Sequence, residues 1–519
     1  MSDQEEPETH EVGLQDQPRP VAPAVETVPW RRLDPRMLLV HPVQELIRFF
    51  PVIIGAFVVG STSGVNWWQF AGVGIPIALG VVRFLTTTFR ITPAQVELQR
   101  GLLSRKVLTA RLDRVRAVEL TSSPIHRVLG LSKVEIGTAS AAKEAGDKFV
   151  LDGLPQQEAR EMRVALLHRA EPESPEGTPD GVAAPAGEEV VLLRFDRRWV
   201  RYAPLTSSGN VVAAGILALL GQFGESLGDR FFAEVDLFGW ITDRSMATAI
   251  PVAVVVFLVL FLIMGAVFAV VGYLVTNWGF TLSRDAHGRS YHVRRGLLTT
   301  SETSLERERV RGLEVIEPLG LRMAGAGRLV AIVTGVSRSE SSRSQLVPPA
   351  PRGIIDATGA QVLDSSEPLH VPLAQHGPAA RRRRFTRAVL GALVLPVLVL
   401  GLALATPLPW WPVLLALLAV PAALPLAADR YRRLGHGLTD DYLVVRSGSL
   451  RGRRDVLQRS GIIGWNVQQS WFQRRVGLVT LVATTAAGQQ AYAAIDIPEA
   501  EAIALADEAV PGLVAPFLA

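Results

Sequence analysis

The chain alternates between long apolar runs and polar blocks. Apolar runs lie at about 44–61, 68–85, 209–224, 248–275, 387–405 and 409–427. Crossing the hydrocarbon core of a bilayer takes ~20 helical residues. The fourth run, IPVAVVVFLVLFLIMGAVFAVVGYLV, is long enough to span with tilt, and Tyr273 and Trp278 near its end suit the interface. The third, NVVAAGILALLGQFG, is short and gives the weakest signal. The runs fall into three pairs, each with a turn inside it and a polar block after it. A soluble chain would bury such runs as core helices; the pairing argues instead for three transmembrane hairpins, six helices in all.

The polar blocks, at about 86–168, 276–375 and 435–519, change period from helical to alternating. FRITPAQVELQRG, KVLTARL, VRAVEL, KVEIGTA and FVLDG read as short strands with turns between them, as does GLTDDYLVVRSGSL in the third block. Two blocks close on a proline-started helical pattern, LPQQEAREMRVALLHRA and IPEAEAIALADEAV. The blocks also share text. RGLLSRKVLTARLDRVRAVEL at 100–120 aligns without a gap on RGLLTTSETSLERERVRGLEV at 295–315. Placing Gly448 on Gly101 carries Ser123 onto Ser470, Arg127 onto Arg474, Gly130 onto Gly477 and Leu131 onto Leu478. A repeat this long is an array of whole domains, not a solenoid of short units.

Composition sharpens the membrane reading. Hydrophobic residues make up 48% of the chain and charged ones 20%, with a mean hydropathy of +0.25 and a pI near 9.6; this balance leans away from a soluble enzyme. The basic groups are nearly all arginine, the lysines being Lys106, Lys133, Lys143 and Lys148. Arginine offers phosphate a planar, bidentate fork, although a GC-rich genome would produce the same bias. Arginines crowd the segments before and after each pair, including Arg381, Arg382, Arg383 and Arg384, which read first as a topology anchor. The turns STSGVNWW and TPLPWW have no basic residue, and the 225–246 loop has only Arg230 and Arg244 against five acids. The positive-inside pattern then puts both termini and the blocks in the cytoplasm, with Trp67, Trp68, Trp410 and Trp411 in the outer turns. Residues 1–29 are polar and rich in Glu, Gln and Pro with no apolar signal segment.

The strands, the terminal helix and the RGLL and Ser-x-x-x-Arg-x-x-Gly-Leu lines resemble the bacterial pleckstrin-homology-like (PH) domain. The whole chain, over roughly 40–519, resembles the YdbT-type membrane proteins, which carry three such domains. The resemblance implies three β-sandwich or barrel domains, each capped by a C-terminal helix, and no known enzyme activity. It also suggests a smaller PH-like membrane protein as partner, and a role in envelope defence. The organisation expected is a disordered tail at 1–39, hairpin 40–85, domain 86–168, flexible acidic linker 169–188, juxtamembrane segment and hairpin 189–275, domain 276–375, basic segment and hairpin 376–434, and domain 435–519. The second block departs from the pattern: it reads EPLGLRMAGAGRLVAIV and carries an inserted SRSESSRSQ.

Catalytic constellations are missing from the text. There is no P-loop, His-Glu-x-x-His or Gly-x-Ser-x-Gly, no cysteine, and the nine histidines show no metal spacing. No cofactor or nucleic-acid partner is expected. The best candidate surface for an anionic lipid or a membrane-protein partner is basic: Arg111, Arg114, Arg116 and Arg127 in the first block, Arg309 and Arg311 in the second, and Trp471, Phe472, Arg474 and Arg475 in the third. The competing reading makes Arg114 and Arg116 a solvated strand face and puts Trp471 and Phe472 in the core. The expected function is a non-enzymatic membrane scaffold. Two rivals stay open, a transporter or exporter component with regulatory PH-like domains and a lipid-modifying enzyme, although the apolar runs hold few ionisable groups.

Overall fold

The computed structural model describes residues 29–40, 43–44, 74, 78, 81–82, 84–92, 95–101, 106–111, 115–138, 149–168, 189–206, 208–222, 246–335, 344–406 and 409–513. The first two apolar runs fall mostly outside this set, as do linker 169–188 and the loop at 223–245.

Each polar block builds two small antiparallel sheets. In the first block, β1 (Arg31–Arg32), β2 (Thr88–Ile91), β3 (Gln95–Arg100) and β4 (Lys106–Arg111) form one sheet in that order. The next strands are β5 (Val115–Ser122), β6 (Leu131–Thr138) and β7 (Phe149–Pro155). A one-turn helix, α1 (Pro124–Leu129), joins β5 to β6, and α2 (Gln156–His168) follows β7. The second block repeats the order with β8 (Val190–Arg194), β9 (Thr281–Arg284), β10 (Ser290–Arg295), β11 (Thr300–Glu306), β12 (Val310–Pro318), β13 (Ala326–Val333) and β14 (Gln345–Pro351). The third does so with β15 (Gly435–Leu438), β16 (Tyr442–Ser447), β17 (Arg451–Gln458), β18 (Gly464–Gln468), β19 (Leu478–Thr484) and β20 (Ala491–Pro498).

The sheets do not stop at the block boundaries. The second sheet of the first block and the first sheet of the second merge into seven strands, ordered β7-β6-β5-β11-β10-β9-β8. The next junction merges six, ordered β14-β13-β12-β17-β16-β15. Counting strands from the one that leaves each hairpin (β2, β9 and β15 first), the third strand of the later block at each junction pairs antiparallel with the fourth strand of the earlier one: Ser301 lies opposite Thr121, and Arg453 opposite Ile316. The hydrophobic clusters follow the sheets. Val444 and Val456 of the third block complete the second block's core, and Ile332 of the second joins the third's. Whatever linker 169–188 does, the blocks on either side of it share one sheet.

The chain entering each hairpin returns beside the strand leaving it. β1 pairs with β2, β8 with β9, and Ala374 bridges His436 on β15. This corrects the expected tail boundary at residue 39. Leu33, Met37 and Val40 are buried in the first core. Met37 packs so closely over Gly153 that a Cβ there would lie 2.1 Å from its Cγ. In the second block Trp199, Tyr202 and Ala203, on a 3-10 helix at Arg197–Leu205, are likewise buried.

Among the described residues three helices are long and apolar enough to cross a membrane: Val255–Asn277, Gly377–Ala405 and Trp411–Arg432. The described part of the third apolar run forms a helix α3, Ser208–Gln222, packed on α4, Met246–Asn277. Their contact is tight: a Cβ on Gly209 would meet the Gly265 carbonyl oxygen at 1.9 Å, the close backbone approach that small residues permit between membrane helices.

The Ser-x-x-x-Arg-x-x-Gly line now has a physical reading. Ser123 caps α1 by accepting from the His126 amide, and Gly130 ends it in the left-handed conformation at φ 69°. Ser470 caps Trp471–Arg474 in the same way, with Gln473 completing a capping box, and Gly477 (φ 62°) closes the turn that follows. The second block departs from this line and has no side-chain N-cap, Pro318 standing at that position. It builds α5 (Leu319–Met323) in the same place and ends it at Gly325, φ 63°. The remaining helices are α6 (Arg352–Leu363), α7 (Gly377–Ala405), α8 (Trp411–Arg432), α9 (Trp471–Arg474) and α10 (Glu499–Ala509).

Candidate functional site

Where the second and third blocks meet the ends of α7 and α8, a cleft of about 630 Å³ opens. Six arginines line it: Arg328 from β13, Arg384 and Arg387 from α7, Arg430 from α8, and Arg451 and Arg453 from β17. One carboxylate, Glu314 of β12, faces them. Local structure explains the convergence. Arg384 and Arg387 are three apart, so they share a helix face just ahead of the apolar stretch of α7. Gly448, at φ 91°, makes the tight turn from β16 to β17; a Cβ there would meet the Arg451 carbonyl oxygen at 2.2 Å. Arg451 and Arg453, two apart on the strand after it, point the same way. Arg430 belongs to the last turn of α8, where a cation also complements the helix dipole.

The six differ in how they are held. Arg384 contacts Asp496 at 2.7 Å. Arg453 contacts Asp455 at 3.3 Å and donates to the Gln489 side-chain oxygen at 2.9 Å. Arg328, Arg387, Arg430 and Arg451 have no carboxylate partner among the described residues. The Nε atoms of Arg328 and Arg384 are buried with no acceptor among them. Burial, with a contribution from neighbouring Arg451, holds the Arg328 guanidinium below its usual range. Uncompensated guanidinium groups held around one cavity are arranged to receive a multiply charged anion, phosphate above all. Among the described residues no group of three or more His, Asp or Glu could hold a metal ion.

The residues singled out from sequence go to several places. Arg127 donates to the Leu297 carbonyl at 3.0 Å, so it serves the first junction. Its counterpart in the second junction is Arg322, which donates to the Ser449 carbonyl at 3.4 Å; the departing letters around it hid this residue from the motif. Arg309 pairs with Glu306 at 2.7 Å, and Arg311 donates to Gln458 across the second junction at 3.2 Å. Arg111 and Arg116 lie on β4 and β5, while Arg114 falls outside the described residues. Trp471 and Phe472 are exposed rather than packed in the core, at 57% and 67%. Their rings meet edge-on at 5.0 Å, and the Arg475 guanidinium stacks on Trp471 at 3.8 Å. Arg474 ends the same short helix.

The tetra-arginine run is split. Arg383 and Arg384 both ion-pair with Asp496, whose side chain is fully buried. Arg381 lies over the Phe385 ring, and Arg382 is exposed. Reading from sequence found Arg384, Arg387 and Arg430 only as flanks of the hairpin and missed Arg328, Arg451 and Arg453. The available signal was that basic clusters stand on both sides of one hairpin and again at the turn after it.

Paired sheets with a terminal helix, attached to apolar helices, define a class, and the comparisons agree with it. The bacterial PH domain family model matches residues 46–170 and 389–507. Over those two stretches the chain is similar to bacterial PH domains, and three of its described helices are long and apolar enough to cross a membrane. It is also 21% identical, over 332 residues, to the UPF0699 transmembrane protein YdbT of Bacillus subtilis (strain 168). That match covers 61% of this chain and 65% of the relative's length. No solved structure matches.

Proposed function

We propose that the chain is a non-enzymatic scaffold of the bacterial cytoplasmic membrane that grips a phosphate-bearing anionic headgroup in the arginine cleft. In this reading there are six spans, both termini are cytoplasmic, and the block at 276–375 is a third PH-like domain between the two that the family model matches. Supporting the third domain is its strand order, which runs parallel to that of its neighbours. Supporting the orientation is the arginine asymmetry around the hairpins. A role in envelope defence remains a reading by resemblance.

The observation that carries the proposal is the cleft's position and charge. It is lined by the polar ends of two apolar helices, which in this reading stand beside the headgroup layer, and four of its six arginines have no carboxylate partner among the described residues. The lining offers guanidinium groups, one carboxylate and no histidine, a set suited to holding an anion rather than to moving protons through a reaction.

The test uses the full chain, purified in mild detergent, with native mass spectrometry of retained phosphatidylglycerol against phosphatidylcholine. Hydrogen bonds to charged groups contribute ~1.5–3 kcal/mol, so each of Arg387→Gln, Arg430→Gln and Arg451→Gln should weaken retention of the anionic lipid about tenfold or more. Phosphatidylcholine binding should not change. Equal retention of both lipids by the unaltered protein, or unchanged selectivity in the triple variant, would remove the cleft from consideration.

A further inference from the structure

The two junctions inside the chain leave two sheet edges over, and the edges are of opposite kinds. Each junction pairs a third strand with the fourth strand of the block before it. The first block's third strand, β4, has no such partner among the described residues. The third block's fourth strand, β18, has none among them either. Both lie at the ends of their sheets, with no strand on their outer side among the described residues. An open edge is a template for another strand, and soluble proteins usually blunt such edges with charge, proline or bulges. β18, GWNVQ, contains neither charge nor proline. Val107 on β4 is 54% exposed and Val467 on β18 is 57% exposed.

We propose that β4 of one chain pairs antiparallel with β18 of a second copy of this chain, head to tail, repeating the internal junction. Continuity with that junction is the argument, and it is quantitative. When Gly101, Gly296 and Gly448 are aligned, Ser301 and Arg453 are counterparts, as are Thr121 and Ile316. They make the pairs Ser301–Thr121 and Arg453–Ile316, so the two junctions have one register. The same register places Lys106 opposite Gln468 and Val107 opposite Val467. The pairs at the Val107–Val467 position in the internal junctions are Glu302–Leu120 and Arg454–Val315. Between chains the pair becomes apolar on both sides, which suits burial on association.

The side-chain latch has a matching vacancy. Arg127 and Arg322 each reach from a one-turn helix to a carbonyl of the following block. Arg474 is their counterpart, on the same kind of one-turn helix, and reaches no such carbonyl among the described residues. Beside it, Trp471, Phe472 and Ile463 (66% exposed) make the apolar rim expected of an unfilled junction. A contact of this kind is heterologous, so it propagates and either closes a ring or extends as a filament. This proposal is independent of the arginine cleft.

The chain has no cysteine, so introduced pairs report cleanly. Val107→Cys with Val467→Cys, and the neighbouring Leu108→Cys with Asn466→Cys, are placed on one chain and oxidised in native membranes. Two adjacent pairs are needed because hydrogen-bonded and non-hydrogen-bonded positions alternate, and the latter hold their side chains closer. Ser301→Cys with Thr121→Cys, and Thr300→Cys with Ser122→Cys, are the intrachain controls. The expected result is a reducible ladder of dimers, trimers and larger species from one double variant. Mixing the two single-cysteine chains should stop it at dimers. Val467→Glu should return the protein to single chains, and Val107→Arg added to it should restore the multiples. A monomer band alongside a crosslinked control overturns the proposal. A single crosslinked product to a smaller membrane protein, without a ladder, also overturns it, and assigns the edges to that protein.

Discussion

Asp496 shows how much one residue can hold together. It sits in the left-handed conformation at φ 59°, fully buried, between Arg383 and Arg384 at the start of α7 and Gln473 of α9. Removing one partner from a buried charge cluster costs about 3–5 kcal/mol, because the remaining charges stay desolvated. Asp496→Ala should therefore lower the melting temperature of the full chain in detergent by several degrees; an unchanged temperature would mean that the cluster is hydrated. Asp455 makes the opposite kind of site. Burial raises its pKa to about 7, with Arg453 opposing and Glu314, its cross-strand neighbour, adding to the rise. A carboxyl whose pKa is raised on folding stabilises the protein most below its unfolded value, and this contribution is lost as pH rises through about 7. Asp455→Asn keeps the neutral form at every pH. Relative to the unaltered protein it should gain stability at pH 8 and gain little at pH 5, as read from paired thermal melts. Neither site was visible in the sequence. Asp496 lies in an ordinary strand-end phrase, IDIP, and Asp455 in an arginine-rich one. Only the packing of α7 and β12 against those phrases gives the carboxylates their partners.

At the scale of elements the sequence was easier to read. KVLTARL, VRAVEL and KVEIGTA are strands, and the Ser and Gly of the repeated line are the two caps of a one-turn helix, because alternation and cap chemistry are local. What pairs with a strand's outer edge is not local. β5 and β12 carry the same pattern whether their neighbour comes from their own block or the next, so the merged sheets could not be foreseen. Glycine substitutions separate local from junction effects. Gly325 has φ 63° and open space around it, so Gly325→Ala should cost only the left-handed penalty, about 1–2 kcal/mol. Gly312 has φ 152°, and a Cβ would lie 1.9 Å from the Val456 carbonyl oxygen on the opposing strand. Gly312→Ala should cost more, and in hydrogen exchange it should deprotect β12 and β17 together. Equal losses from the two variants would mean that the junction yields freely.

For the whole molecule, the apolar runs and the alternating blocks announced β-rich sheets joined to apolar helices, while the coupling between blocks was hidden. The acidic 169–188 stretch suggested blocks moving independently. The shared sheets and interleaved cores predict instead that the described blocks unfold together. A calorimetric scan of the full chain should show one dominant transition, and amides of β5 and β11 should exchange at matched rates. Three separated transitions would mean that the seven- and six-stranded sheets come apart easily in solution.

The equality of register between the junctions has an evolutionary side. If the middle block and its hairpin were excised, β5 would face β17, and the two strands already match in register. The shortened chain would close its sheet without a new interface having to arise. Insertion of another block would be equally undemanding. The number of units in such a gene is therefore free to change by whole steps of duplication or loss, with the fold intact at every stage.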